Sequence, residues 1–115
     1  MTPREFSERL AKRARKANVT LDAQAAESLG AYFRLLECWN EKVNLTAFSL
    51  KDAPDEAIDR LLIEPLVAAR HLHGSHGQGH GPQLGPHPRL LDIGSGGGSP
   101  AIPLKIAIPS LHLLM

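Results

Sequence analysis

The stretch Leu91-Asp92-Ile93-Gly94-Ser95-Gly96-Gly97-Gly98-Ser99-Pro100 carries the residue types and spacing in this chain best suited to chemistry. Arg89-Leu90-Leu91 leads into an acidic residue, one more apolar residue and a Gly-x-Gly-x-Gly turn, and Ala101-Ile102-Pro103-Leu104-Lys105-Ile106-Ala107 follows as a helix-compatible segment. That order predicts strand, glycine loop, helix, which is the opening unit of a nucleotide-binding α/β domain. Glycines at alternate positions permit a tight turn with φ > 0 and let a ligand approach the backbone with no Cβ in the way.

The acidic residue narrows the ligand. A dinucleotide fold aims its loop and helix N-terminus at a pyrophosphate, an anion, and Asp92 would set a carboxylate beside that charge. S-adenosylmethionine has no phosphate; its sulfonium and ammonium are cationic and suit a carboxylate at the strand end. The dinucleotide pattern also wants Gly or Ala at its sixth position, where this chain has Ser99. A methyl-donor site is the reading preferred here. The alternatives are a dinucleotide-binding oxidoreductase fragment and a glycine turn that binds nothing.

The elements that must position this loop are bounded by length and composition. A chain of 115 residues with net charge +1 and 4% aromatics makes one modest domain. It holds no long apolar run for a membrane span or signal peptide, so no membrane partner is expected. The one cysteine, Cys38, excludes an internal disulfide, fits a reducing, cytoplasmic location and reads as a packed helix residue. The first strand begins only at Arg89, so the sheet is expected to be truncated near its second strand.

Residues 1–72 read as a helical region. Thr2-Pro3-Arg4-Glu5 is a capping box with proline at N1, and Phe6, Leu10, Ala14 and Ala17 form one apolar stripe. Residues 1–17 hold six bases (Arg4, Arg9, Lys12, Arg13, Arg15, Lys16) and two acids (Glu5, Glu8), a net +4. That is either a phosphate-contacting face or a solvated one, and a non-enzymatic RNA-binding module built on it is a further alternative function. A second helix is expected from about Asp22 to Lys42, with Leu29, Phe33, Leu36 and Trp39 as its stripe and Tyr32 and Val43 alongside; Tyr32 and Trp39 are assigned to core packing. Asn40, Asn44 and Thr46 suit capping and turn chemistry. A third helical stretch spans about Asp55 to Leu72, with Ile58, Leu61, Leu62, Leu66 and Ala69 apolar. Pro65 is expected to break it near Glu64 and to stand at N1 of a short following helix.

Residues 73–88 are rich in histidine, glycine and proline and read as a flexible connector. His73, His76, His80 and His87 invite a metal reading, but glycine and proline impose no ligand geometry and no cysteine accompanies them. No metal is assigned. Residues 89–115 then supply the first strand, glycine loop, helix and start of the second strand.

Two separated segments are familiar. Residues 32–47, Tyr-x(6)-Trp-Asn-x-Lys-x-Asn-Leu-Thr-Ala, and residues 91–109, similar to Asp-Ile-Gly-Ser-Gly-Ala-Gly-Phe-Pro-Gly-Ile-Pro-Leu, resemble the ribosomal RNA small subunit methyltransferase G family, also called glucose-inhibited division protein B. The resemblance implies an α/β protein: an N-terminal helical extension followed by the start of a class I, Rossmann-like S-adenosylmethionine-dependent methyltransferase domain. It implies methylation of guanine N7 in 16S ribosomal RNA, with that RNA or a small-subunit assembly particle as partner, and S-adenosyl-L-methionine as cofactor.

Carried over position by position, the resemblance puts Gly94 and Ser99 in contact with the methyl donor, has Gly96 and Gly98 shape the same loop, and makes Asp92 the acidic end of the first strand. Gly97, Ser99 and Ala101 stand where the family more often has Ala or Pro, Phe or Leu, and Gly; Glu64-Pro65-Leu66 stands in place of Asp-Ser-Leu. Guanine N7 carries a lone pair in the neutral base, so the implied reaction needs positioning more than a general base. No catalytic residue is named, Cys38 included. The 115-residue chain is expected to be inactive without the rest of its sheet.

Overall fold

The structure is a computed structural model describing residues 1–73, 87–94 and 96–115. The connector histidines His76 and His80, the His73 side chain and Ser95 of the glycine loop lie outside the described residues. So does the expected flexibility of the connector.

Helix α1 spans Pro3–Lys16. The Thr2 hydroxyl accepts from the Glu5 N–H at 3.1 Å, and the Thr2 N–H donates to the Glu5 carboxylate at 2.7 Å, so the capping box read from four residues is formed. That backbone hydrogen bond, reinforced by the Thr2 hydroxyl, holds the Glu5 carboxyl below its ordinary value. The helix buries Phe6, Leu10 and Ala14. It ends where Asn18 takes φ 56°, a left-handed conformation that Asn tolerates better than most residues.

Helix α2, Ala23–Asn40, is capped by the Asp22 carboxylate, which accepts from the Ala25 N–H at 2.7 Å. Leu29, Tyr32, Phe33 and Leu36 are buried as the spacing predicts, and Phe33 packs on Phe6 with ring centroids 5.1 Å apart. Trp39 departs from its assignment to the core: it is 49% exposed, and Val43 51%. Trp39 stands in the last turn of α2, and Val43 lies beyond the end of the helix. Cys38, in the last turn of α2, is likewise exposed rather than packed. The chain then turns on Asn40, whose side-chain oxygen accepts from the N–H groups of Leu45 and Thr46 at 2.8 and 2.9 Å.

The third helical stretch contains α3 (Asp55–Ile58), a π-turn (Asp59–Ile63) and α4 (Glu64–His73) without interruption. The expected break near Glu64 is therefore corrected. The helix widens by one residue ahead of Pro65, so the Glu64 N–H reaches back to the Asp59 carbonyl. A π-turn accommodates a proline whose ring and missing N–H an unmodified α-helix does not. Arg13 of α1 clamps this stretch through Asp59, with a second carboxylate, Asp55, at 3.5 Å. The hydrogen bond with Asp59 pushes the Arg13 guanidinium above its ordinary value.

Strands β1 (Arg89–Leu91) and β2 (His112–Leu114) are parallel neighbours in the register Arg89–His112, Leu90–Leu113, Leu91–Leu114. Helix α5 (Ala101–Ala107) connects them. It packs on α4 and α2, and Leu104, Ile108 and Leu111 meet Ala69 in a small core of their own, with Leu90 against it. The strand, glycine loop, helix, strand order read from the sequence is the order observed.

Candidate functional site

The glycine loop leaves β1 at Asp92, whose backbone N–H donates to the Leu114 carbonyl at 2.9 Å, so the strand pairing continues to the loop's first residue. Gly94, Gly96 and Gly98 all take positive φ, at 74°, 52° and 89°, which is the left-handed backbone the alternating glycines predicted. Their surroundings differ. A Cβ on Gly94 would meet nothing within 4 Å among the described residues, one on Gly97 would stand 2.8 Å from Leu36 Cδ1, and one on Gly98 would stand 2.5 Å from Ile102 Cδ1. The loop therefore has an open side at Gly94 and a packed side at Gly97 and Gly98. The packed side is anchored as the helix begins, where the Ile102 N–H donates to the Gly98 carbonyl at 2.7 Å.

Two hydroxyls fasten the packed side to the helical layer. Tyr32, 8% exposed in α2, donates to the Gly97 carbonyl at 2.8 Å. Burial pushes its phenol from 10.0 up to about 12, so it remains a donor across the ordinary pH range. Ser99 donates to the Leu61 carbonyl of the π-turn at 3.0 Å. Of the residues singled out from the sequence, Asp92, Gly94, Gly96 and Gly98 line one turn, while the Ser99 hydroxyl faces the helices. The Tyr32 contact was not anticipated. The available signal was general: a buried tyrosine keeps a polar tip that seeks a partner.

Between α2 and the loop lies a cleft of about 170 Å³ lined by Tyr32, Leu35, Leu36, Trp39, Leu45, Gly96, Gly97, Gly98, Ile102 and Met115. It is smaller than the roughly 300–1,000 Å³ of a complete ligand pocket and holds part of a ligand at most. A larger depression of about 670 Å³ lies far from the loop, among Glu5, Glu8, Arg9, Lys12 and Asp55. Its walls are five charged residues, none of them from the glycine loop.

The basic face of α1 is partly used within the chain. Arg4 pairs with Glu8 at 3.0 Å, Arg9 donates to the carbonyls of Asp52 and Ala53 at 2.6 and 2.8 Å, and Arg13 holds Asp59. Any phosphate-contacting face is thereby narrowed to Lys12, Arg15 and Lys16, all exposed. Among the described residues, no group of His, Cys, Asp and Glu is placed to hold a metal ion, and no helix is long and apolar enough to cross a membrane.

The family model described as rRNA small subunit methyltransferase G matches residues 25–115. Curated relatives named "Ribosomal RNA small subunit methyltransferase G" are similar along nearly the whole chain. The one from Pseudomonas paraeruginosa is 36% identical over 112 residues, covering 97% of this chain and 45% of the relative. The one from Geobacter sp. is 37% identical, covering 93% and 42%, and the one from Pseudomonas entomophila is 39% identical, covering 95% and 44%. The chain thus spans less than half the length of these relatives. No solved structure matches it.

Proposed function

Because the chain belongs to the rRNA small subunit methyltransferase G family, we propose that its protein transfers the methyl group of S-adenosylmethionine to N7 of a guanine in 16S ribosomal RNA, in the cytoplasm. In this reading residues 1–72 are a helical region, residues 73–88 a connector, and residues 89–115 the opening of the methyltransferase domain. The observation that carries it is the glycine loop: three left-handed glycines beyond the end of a parallel strand, the first of them two residues after Asp92.

The loop fits a methyl donor on two counts. The open side at Gly94 leaves room for a ligand against bare backbone, and a carboxylate at the strand end favours a cationic ligand over a pyrophosphate. Gly94, Gly96, Gly98 and Asp92 are the residues assigned to donor binding. With its hydroxyl held by Leu61, Ser99 has its backbone left to offer. The donor, when bound, supplies an electrophilic sulfonium methyl. The chain's own task is to orient it, because guanine N7 attacks with a lone pair already free and no proton need leave first. Lys12, Arg15 and Lys16 are the α1 side chains available for RNA phosphates, a contribution that would fall with rising salt.

Calorimetric titration of this chain with S-adenosylhomocysteine, with NAD in parallel, tests the reading. Saturable binding of the homocysteine analogue, weakened by Gly98→Ala, is the expected result. Binding of NAD in its place would overturn it in favour of a dinucleotide site.

A further inference from the structure

Two departures from the sequence pattern this chain resembles, Pro65 and Ser99, meet at one atom. In an α-helix the N–H of residue 65 would reach the carbonyl of residue 61, and proline has no N–H to give. The helix responds with the π-turn Asp59–Ile63, and the Leu61 carbonyl accepts instead from the Ser99 hydroxyl at 3.0 Å, across 38 residues of chain. Leu61 is 8% exposed and Ser99 partly buried, so a carbonyl stripped of this donor is poorly served by solvent.

We infer that Ser99 is a positioning residue for the methyl-donor loop, its hydroxyl replacing the backbone donor that Pro65 cannot supply and so tying the loop to the π-turn. The tie falls one residue after Gly98, whose φ of 89° and contact with Ile102 leave the loop little freedom to compensate. Tyr32 holds the neighbouring Gly97 carbonyl from α2, so the two hydroxyls tie the loop to α2 and to the π-turn. Proline at 65 and a hydroxyl at 99 are therefore one feature rather than two unrelated substitutions. The inference rests on the donor-site reading of the loop.

A double-mutant cycle tests it, using the chain with Ser99→Ala, Pro65→Ala, both changes together, and Ser99→Thr. The chain's only tryptophan, Trp39, lines the cleft against Gly96, Gly97 and Gly98 and reports both unfolding in urea and displacement of the loop. With Pro65 present, Ser99→Ala is expected to lower the folding equilibrium constant about three- to tenfold. In the Pro65→Ala background, where position 65 regains an N–H that can serve Leu61, the same change should have little effect. Affinity for S-adenosylhomocysteine, measured where every variant is fully folded, should drop with Ser99→Ala and be kept by Ser99→Thr. An equal Ser99→Ala effect in both backgrounds overturns the inference, as does an unchanged affinity in a chain that binds. If the wild-type chain binds none of the analogue, the donor-site reading fails, and the coupling between positions 65 and 99 still decides whether the tie exists.

Discussion

Leu10, Leu29, Ile58 and Leu62 of the helical layer are wholly enclosed, whereas Leu91, Ile93 and Leu114 of the strand segment are 62%, 86% and 67% exposed. The helical layer closes on itself: α1, α2 and the α3–π-turn stretch each turn an apolar stripe to a shared core. The strand segment has a two-stranded sheet with one face open, and its own small core borrows Ala69 from α4. What places the glycine loop is therefore less the sheet it leaves than the helices it leans on, through Tyr32, Leu36 and Leu61. In this chain the helical region is the scaffold and the loop is the part that is held.

The contrast can be broken most sharply in the helical core. Phe33→Ala removes a ring 1% exposed that packs on Phe6; it should lower stability by about 3–5 kcal/mol in urea unfolding and release the loop along with the core. If the loop's donor affinity survived that loss, the helices would not be its scaffold.

Gly98→Ala comes next. It forces an L-residue to φ 89° with its Cβ 2.5 Å from Ile102, at a cost of roughly 1–3 kcal/mol. Gly94→Ala, strained in φ but unopposed in space, should destabilise less; circular dichroism melts of the two variants compare the packed and open sides of the loop.

Tyr32→Phe keeps the ring and deletes the donor to Gly97, a loss of about 1 kcal/mol. It also carries a pH signature. The folded phenol titrates at about 12 against 10.0 for an ordinary tyrosine, so its contribution is complete below the unfolded value and disappears as pH rises from 10 towards 12. Unfolding midpoints of the wild type and Tyr32→Phe should therefore draw together across that interval, and parallel curves would show that Tyr32 is not the titrating anchor.

The smallest effect belongs to the strand segment. Leu91→Ser alters a side chain 62% exposed and should change stability by no more than about 0.5 kcal/mol. A larger loss in urea unfolding would mean that the open sheet face is covered in solution.

Features written in neighbouring residues were legible without coordinates. The Thr2–Glu5 box, the three left-handed glycines and the strand, loop, helix, strand order each arise from residues a few places apart, where backbone geometry and short side chains leave few choices. The family is likewise carried by two short segments. The exposure of Trp39 and Cys38 was misread because a helical stripe tells which face is apolar, not how far the neighbouring layer extends to cover it.

Pro65 announced a disturbed helix, but whether the helix breaks or widens into a π-turn depends on what the rest of the layer holds in place. The bonds from Tyr32 to Gly97 and from Ser99 to Leu61 span 65 and 38 residues. Nothing in local sequence selects such partners. They are chosen only once packing has brought α2, the π-turn and the glycine loop together, since a hydroxyl donates to whichever buried carbonyl the finished fold sets within its reach.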